Sequence, residues 1–130
     1  MQTTARYVAL VDADYLGLKS LPQFGERHAC ITVDEVACPQ EVSQAKAEAN
    51  KFLDDLAGTK PPARLAAADM RLRADLAGFI SALDAVQVAF DARNQDTLAA
   101  ANQGAKAAGA AVISDVFDIL YPSAQPSPNR

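Results

Sequence analysis

The sequence predicts an all-α protein: an antiparallel four-helix bundle with two shorter helices packed on a long helical hairpin. Three observations carry this. Half of the 130 residues are apolar, and alanine, which loses no side-chain entropy in a helix, is the commonest. Apolar residues recur at steps of three and four along four segments. Prolines, glycines and polar stretches punctuate the joints between those segments.

The first segment runs from about Thr4 to Lys19, with Thr3 or Thr4 as an N-terminal cap. Val8, Val11, Tyr15 and Leu18 form its stripe, and Asp12, Asp14 and Lys19 fall outside it. A connection from Ser20 to Pro39 follows, punctuated by Pro22 and Gly25. That is too long for an idle loop in a compact domain. Cys30 and Cys38 lie in it, Ile31, Val33 and Val36 are its candidates for burial, and Val33 to Val36 suits a short helical turn.

The second helix starts at Pro39, a residue that needs no amide partner in the first turn. Val42, Ala45, Ala49, Phe52 and Leu56 are its stripe, and Gly58 suits a left-handed C-terminal cap. The third runs from Pro62 to about Asn94, with Leu65, Leu72, Leu76, Phe79, Leu83, Val86 and Phe90 in phase. About 30 helical residues would span about 45 Å, with Gly78 as the weakest point. Asn94-Gln95 makes a turn and Asp96 caps the fourth helix, Thr97 to Leu120. Its stripe is Leu98, Ala101, Ala105, Ala108, Val112, Val116 and Ile119. Pro122 ends it, so residues 1–121 form one domain and the Pro/Ser-rich 122–130 a disordered tail.

Charge and motifs exclude many functions. The net charge is −4, with alternating signs. Arg64, Arg71 and Arg73 are interrupted by Asp69 and Asp75, which reads as a solvated helix face rather than the basic stripe a nucleic-acid binder needs. Nothing approaches the roughly 20 apolar residues of a membrane span. Met1 to Thr4 lacks the basic start and apolar run of a secretion signal, which leaves a leader removed upstream as the way to an exported chain. No Glu-x-x-His pair, Cys-x-x-Cys-His, Gly-rich phosphate loop or Gly-x-Ser-x-Gly elbow is present, so neither a cofactor nor catalysis is expected. The acid pairs Asp12/Asp14, Asp34/Glu35 and Asp54/Asp55 diverge on a helix and read as solvated surface.

Two features remain. Cys30 and Cys38 are expected to be bonded, closing a small loop worth about 2 to 3 kcal/mol in an oxidising compartment. The alternatives are two buried thiols, or zinc held with His28 and Asp34 or Glu35. The other feature is the Ala/Gly-rich face of the fourth helix, with Ala101, Gly104, Ala105, Ala108 and Gly109. Either neighbouring helices close on it, the expected case, or it leaves a groove for an apolar ligand or a partner helix, with Asn102 and Gln103 as polar handles.

Tyr7-Val8-Ala9-Leu10-Val11-Asp12-Ala13-Asp14-Tyr15, the Cys-containing loop, Pro61-Pro62 before Arg64 to Asp69, and the Ala-rich final hairpin together resemble extracytoplasmic helical domains of high-GC bacteria. Such domains are often lipoproteins or membrane-tethered ectodomains. The resemblance is compositional and assigns no functional residue. It implies an exported, non-enzymatic domain for binding a protein partner or sensing a ligand. The second expectation is a carrier of a small apolar ligand beside the last helix.

Overall fold

The computed structural model describes residues 2–21, 24 and 30–121. His28 and the tail 122–130 therefore lie outside the described residues. Four helices form: α1 (Gln2–Lys19), α2 (Cys38–Ala57), α3 (Ala66–Asp91) and α4 (Gln95–Leu120). No strand occurs among the described residues. Each helix packs on its neighbours in the chain, and α1 closes the ring against α4. The longest seam joins α3 and α4, two helices of 26 residues each, with the shorter α1 and α2 laid against them. Cross-seam partners run in opposite directions. Gly17 faces Glu48 and Asp14 meets Lys51 between α1 and α2, Lys46 meets Asp84 and Leu56 meets Arg73 between α2 and α3, and Arg71 meets Asp115 and Phe79 approaches Gly109 between α3 and α4.

The core follows the stripes. Val42, Ala45, Ala49, Phe52 and Leu56 of α2 are buried, as are Leu72, Leu76, Phe79, Leu83, Val86 and Phe90 of α3. Two stripes differ in detail from expectation. In α1 the wholly buried ring is Tyr7, while Val8 is half-buried, because Tyr7 is one turn before Val11. Asp14 is buried, not solvated. In α4 the buried line shifts by one residue, from half-buried Ala108 to Gly109. A 3.6-residue helix drifts against a stepped pattern, and glycine permits the closest approach.

The helix ends also carry corrections. Thr3 and Thr4 lie inside α1, which already begins at Gln2. Gly58 is not left-handed (φ −88°). The end of α2 is instead tied off by the Arg73 guanidinium, which donates to the carbonyls of Leu56 and Thr59. The third segment opens with a 3-10 turn, Ala63–Leu65, before α3 proper. α3 passes through Gly78 unbroken. The α3–α4 turn takes its left-handed residue at Arg93 (φ 57°), and the cap of α4 is Asn94, whose side chain accepts from the Thr97 amide at 3.0 Å. Asp96, expected as the cap, sits inside the first turn of α4, where a negative charge is favoured anyway.

The connection between α1 and α2 buries other residues than expected. Ile31 and Val36 are exposed and Val33 is half-buried. Among the described residues Phe24, Cys30 and Cys38 are the ones it buries in the core. Two hydrogen-bonded turns, Thr32 to Glu35 and Glu35 to Cys38, take the place of the expected helical turn.

Phe79 is wholly buried where α3 meets α4 and the Phe24 ring. Phe79→Ala is expected to cost about 3 to 5 kcal/mol in urea unfolding. A cost below about 1 kcal/mol would remove this ring from the core.

Candidate functional site

Cys30 and Cys38 form a disulfide with Cα atoms 4.8 Å apart, and both residues are fully buried. The bond fixes the middle of the α1–α2 connection to the start of α2. Polar side chains fix that connection to the other hairpin. Gln95 donates to the Ile31 carbonyl at 2.9 Å and accepts from the Val33 amide at 3.0 Å. Arg93 donates to the Val33 carbonyl, and Asn102 to that of Cys30. Asn102, expected as a groove handle, therefore holds the loop; Gln103 is exposed.

The small-residue face of α4 divides into three. Ala105 and Gly109 are buried, Ala101 and Ala108 are half-buried on its flanks, and Gly104 is exposed with open space around it. At Gly109 a side chain would begin 3.6 Å from the Phe24 ring and 3.8 Å from Phe79. Phe24 meets Phe79 edge-on at 5.2 Å and Tyr15 at 6.3 Å. At this point the helices and the loop pack closely.

Three buried carboxylates come as findings of the structure. Asp69 accepts from the Tyr7 hydroxyl at 2.6 Å and from Arg73 Nε at 2.7 Å, linking α1 to α3 across the core. Burial, with the Asp69 carboxylate beside it, holds the Tyr7 phenol well above its ordinary pKa. Asp14 accepts from Lys51 at 2.8 Å, and burial raises its pKa despite that partner. Asp115 lies 3.8 Å from Arg71, and its pKa is pushed up to about 7, mainly by burial and then by the neighbouring Asp75. The sequence carried a signal for all three. Asp14 lies three after Val11 and four before Leu18, Asp69 four after Leu65 and three before Leu72, and Asp115 three after Val112 and four before Ile119. Each occupies an in-phase core position.

Two surface features could receive something. A cleft between α1 and the α2–α3 connection is lined by Arg6, Ala9, Leu10, Gly58, Thr59 and Lys60. Between α1 and the end of α4 lies a groove of about 420 Å³ lined by Ala5, Val8, Ala9, Asp12, Leu120 and Tyr121. Beside it an aromatic row continues from Tyr121 to Phe117 to Tyr15, with centroids 5.7 and 6.2 Å apart. Among the described residues no group of His, Cys, Asp and Glu could hold a metal, and no helix is long and apolar enough to cross a membrane. No family model, curated protein or solved structure matches the chain.

Two measurements probe this region. The unreduced protein should weigh two hydrogens less than its free-thiol mass and resist alkylation; two alkylatable thiols would contradict the bond. Gly109→Ala should fit at ordinary contact distance and stabilise by about 1 kcal/mol through helix propensity, whereas Gly109→Leu should overpack and cost about 1 to 3 kcal/mol. Equal melting temperatures for the two variants would mean that the face is open.

Proposed function

We propose that the chain is a non-enzymatic, extracytoplasmic domain that binds a protein partner along the α1–α4 edge. The observation that carries this is the apolar and aromatic surface there. Leu16, Phe117 and Tyr121 are 51%, 48% and 58% exposed, next to half-buried Val8 and Leu120. Isolated exposed apolar residues need no explanation, but a row of them beside a groove marks an interaction surface. Asp12 stands exposed on the groove wall of a chain of net charge −4. The occupant that fits is an amphipathic helix with an apolar face and a basic flank. Export is supported by the disulfide, a bond that reducing cytosols disfavour. The apolar-ligand carrier calls for space beside α4, and at Gly109 that space holds Phe24.

A photo-crosslinking residue at Phe117, in cells that make the protein, tests the reading against the same residue at Val88. Val88 is exposed on α3, away from this edge. A discrete adduct at position 117 alone, mapping to a basic amphipathic segment of another protein, is expected. No adduct at 117, or the same adduct at both positions, would overturn it.

A further inference from the structure

α1 separates two depressions. Val8 and Asp12 line the groove at the end of α4, Arg6 and Leu10 line the cleft against the α2–α3 connection, and exposed Ala9 stands between them. The cleft holds about 580 Å³, within the roughly 300 to 1,000 Å³ of small-molecule sites. Its other wall is Gly58, Thr59 and Lys60.

That wall is held in place by its own backbone. The Gly58 amide donates to the Asp54 carbonyl at 3.2 Å and the Thr59 amide to the Leu56 carbonyl at 3.1 Å. The Arg73 guanidinium reaches the Thr59 carbonyl at 3.4 Å. Pro61 follows Lys60 and restricts it to extended backbone. Glycine at 58 has no conformational cause. Its φ of −88° is open to any residue, and a side chain there would begin 3.8 Å from the Asp55 carbonyl oxygen and 3.9 Å from that of Asp54, ordinary contact distances. A larger residue would suit the fold and narrow the cleft.

The charges here run against the rest of the chain. The net charge is −4, yet the cleft carries Arg6 and Lys60 and no acid among its described lining residues. Lys46, Lys51, Arg71 and Arg73 each face a carboxylate. Among the described residues Arg6 and Lys60 face none, and the Thr59 hydroxyl has no hydrogen-bond partner. Two uncompensated cations, a spare hydroxyl and the apolar surface of Ala9 and Leu10 thus share one cleft.

We propose that this cleft binds a small amphiphilic anion, a carboxylate or phosphate head on a short hydrocarbon body. The Arg6 guanidinium offers paired N–H donors to two oxygens of the head, and the Lys60 ammonium adds a second charge. The Thr59 hydroxyl donates to the same head. Ala9, Leu10 and the bare wall at Gly58 receive the body. The site is independent of what binds at the α1–α4 edge, because it uses the opposite flank of α1.

NMR titration of the full chain at low salt, where exposed charges are least screened, tests the site with hexanoate, hexyl phosphate, hexanol and inorganic phosphate as probes. Hexanoate or hexyl phosphate should move the amides of Arg6 to Leu10 and of Gly58 to Lys60 saturably, and the tighter of the two names the head group. Hexanol and inorganic phosphate each lack half of the ligand and should bind at least about tenfold more weakly. Arg6→Gln and Lys60→Gln should each weaken the better amphiphile by about tenfold, and Lys106→Gln, at an exposed lysine of α4, should not. Gly58→Leu should melt with the parent and also bind about tenfold more weakly. No saturable shift at these amides with either amphiphile, or parent-like affinity in Arg6→Gln or Gly58→Leu, would overturn the proposal.

Discussion

The Phe24 ring sits over Gly109, edge-on to Phe79 and to Tyr15, and so touches α1, α3 and α4 at once. A bundle core is filled at close to crystalline density, and voids cost contacts on every side. The middle of α4 offers Ala101, Ala105, Ala108 and Gly109 to that core. Such a surface cannot fill the space between four helices from its own side chains. The missing volume comes from the α1–α2 connection. That explains why the connection is long and why it is held at so many points. The disulfide fixes it to α2, and Arg93, Gln95 and Asn102 fix it to the α3–α4 hairpin.

The polar groups inside the bundle follow a second constraint. A buried carboxylate must find donors or a proton. Asp69 finds donors, in Tyr7 and in the Nε of an Arg73 whose Nη2 closes the end of α2. This network joins three helices at one end of the bundle. Asp14 finds Lys51. Among the described residues Asp115 has Arg71 at 3.8 Å, and its Oδ2 meets no donor. The three sites thus form a series of falling compensation, with the least compensated in the longest seam of the fold.

Much of the fold was legible in the sequence because periodicity of apolar residues reports directly on helix faces. Leu72, Leu76, Phe79, Leu83, Val86 and Phe90 could be placed by spacing alone. The disulfide was legible from two cysteines eight apart in a loop. The shift from Ala108 to Gly109 was not, because alanine and glycine both leave the apolar pattern nearly blank. Phe24 was not either. It lies in an aperiodic segment, and only its three-dimensional neighbours reveal it as core. Asp14 and Asp69 were in phase with their stripes but were read by chemical type, as solvated charges, when position was the better guide; Asp115, equally in phase with Val112 and Ile119, drew no reading. The aromatic row of Tyr15, Phe117 and Tyr121 joins two helices distant in the chain, so its continuity exists only in the fold.

The central claim is that a loop residue completes the core opposite the small-residue face of α4. Phe24→Ala measures it most directly, because the ring lies outside every helix and its loss changes no helix propensity. In urea unfolding with the disulfide intact, the substitution should cost about 3 to 5 kcal/mol, the loss expected of a buried core aromatic. A cost below about 1 kcal/mol would show that the loop lies on a core already complete without it, and would contradict the account.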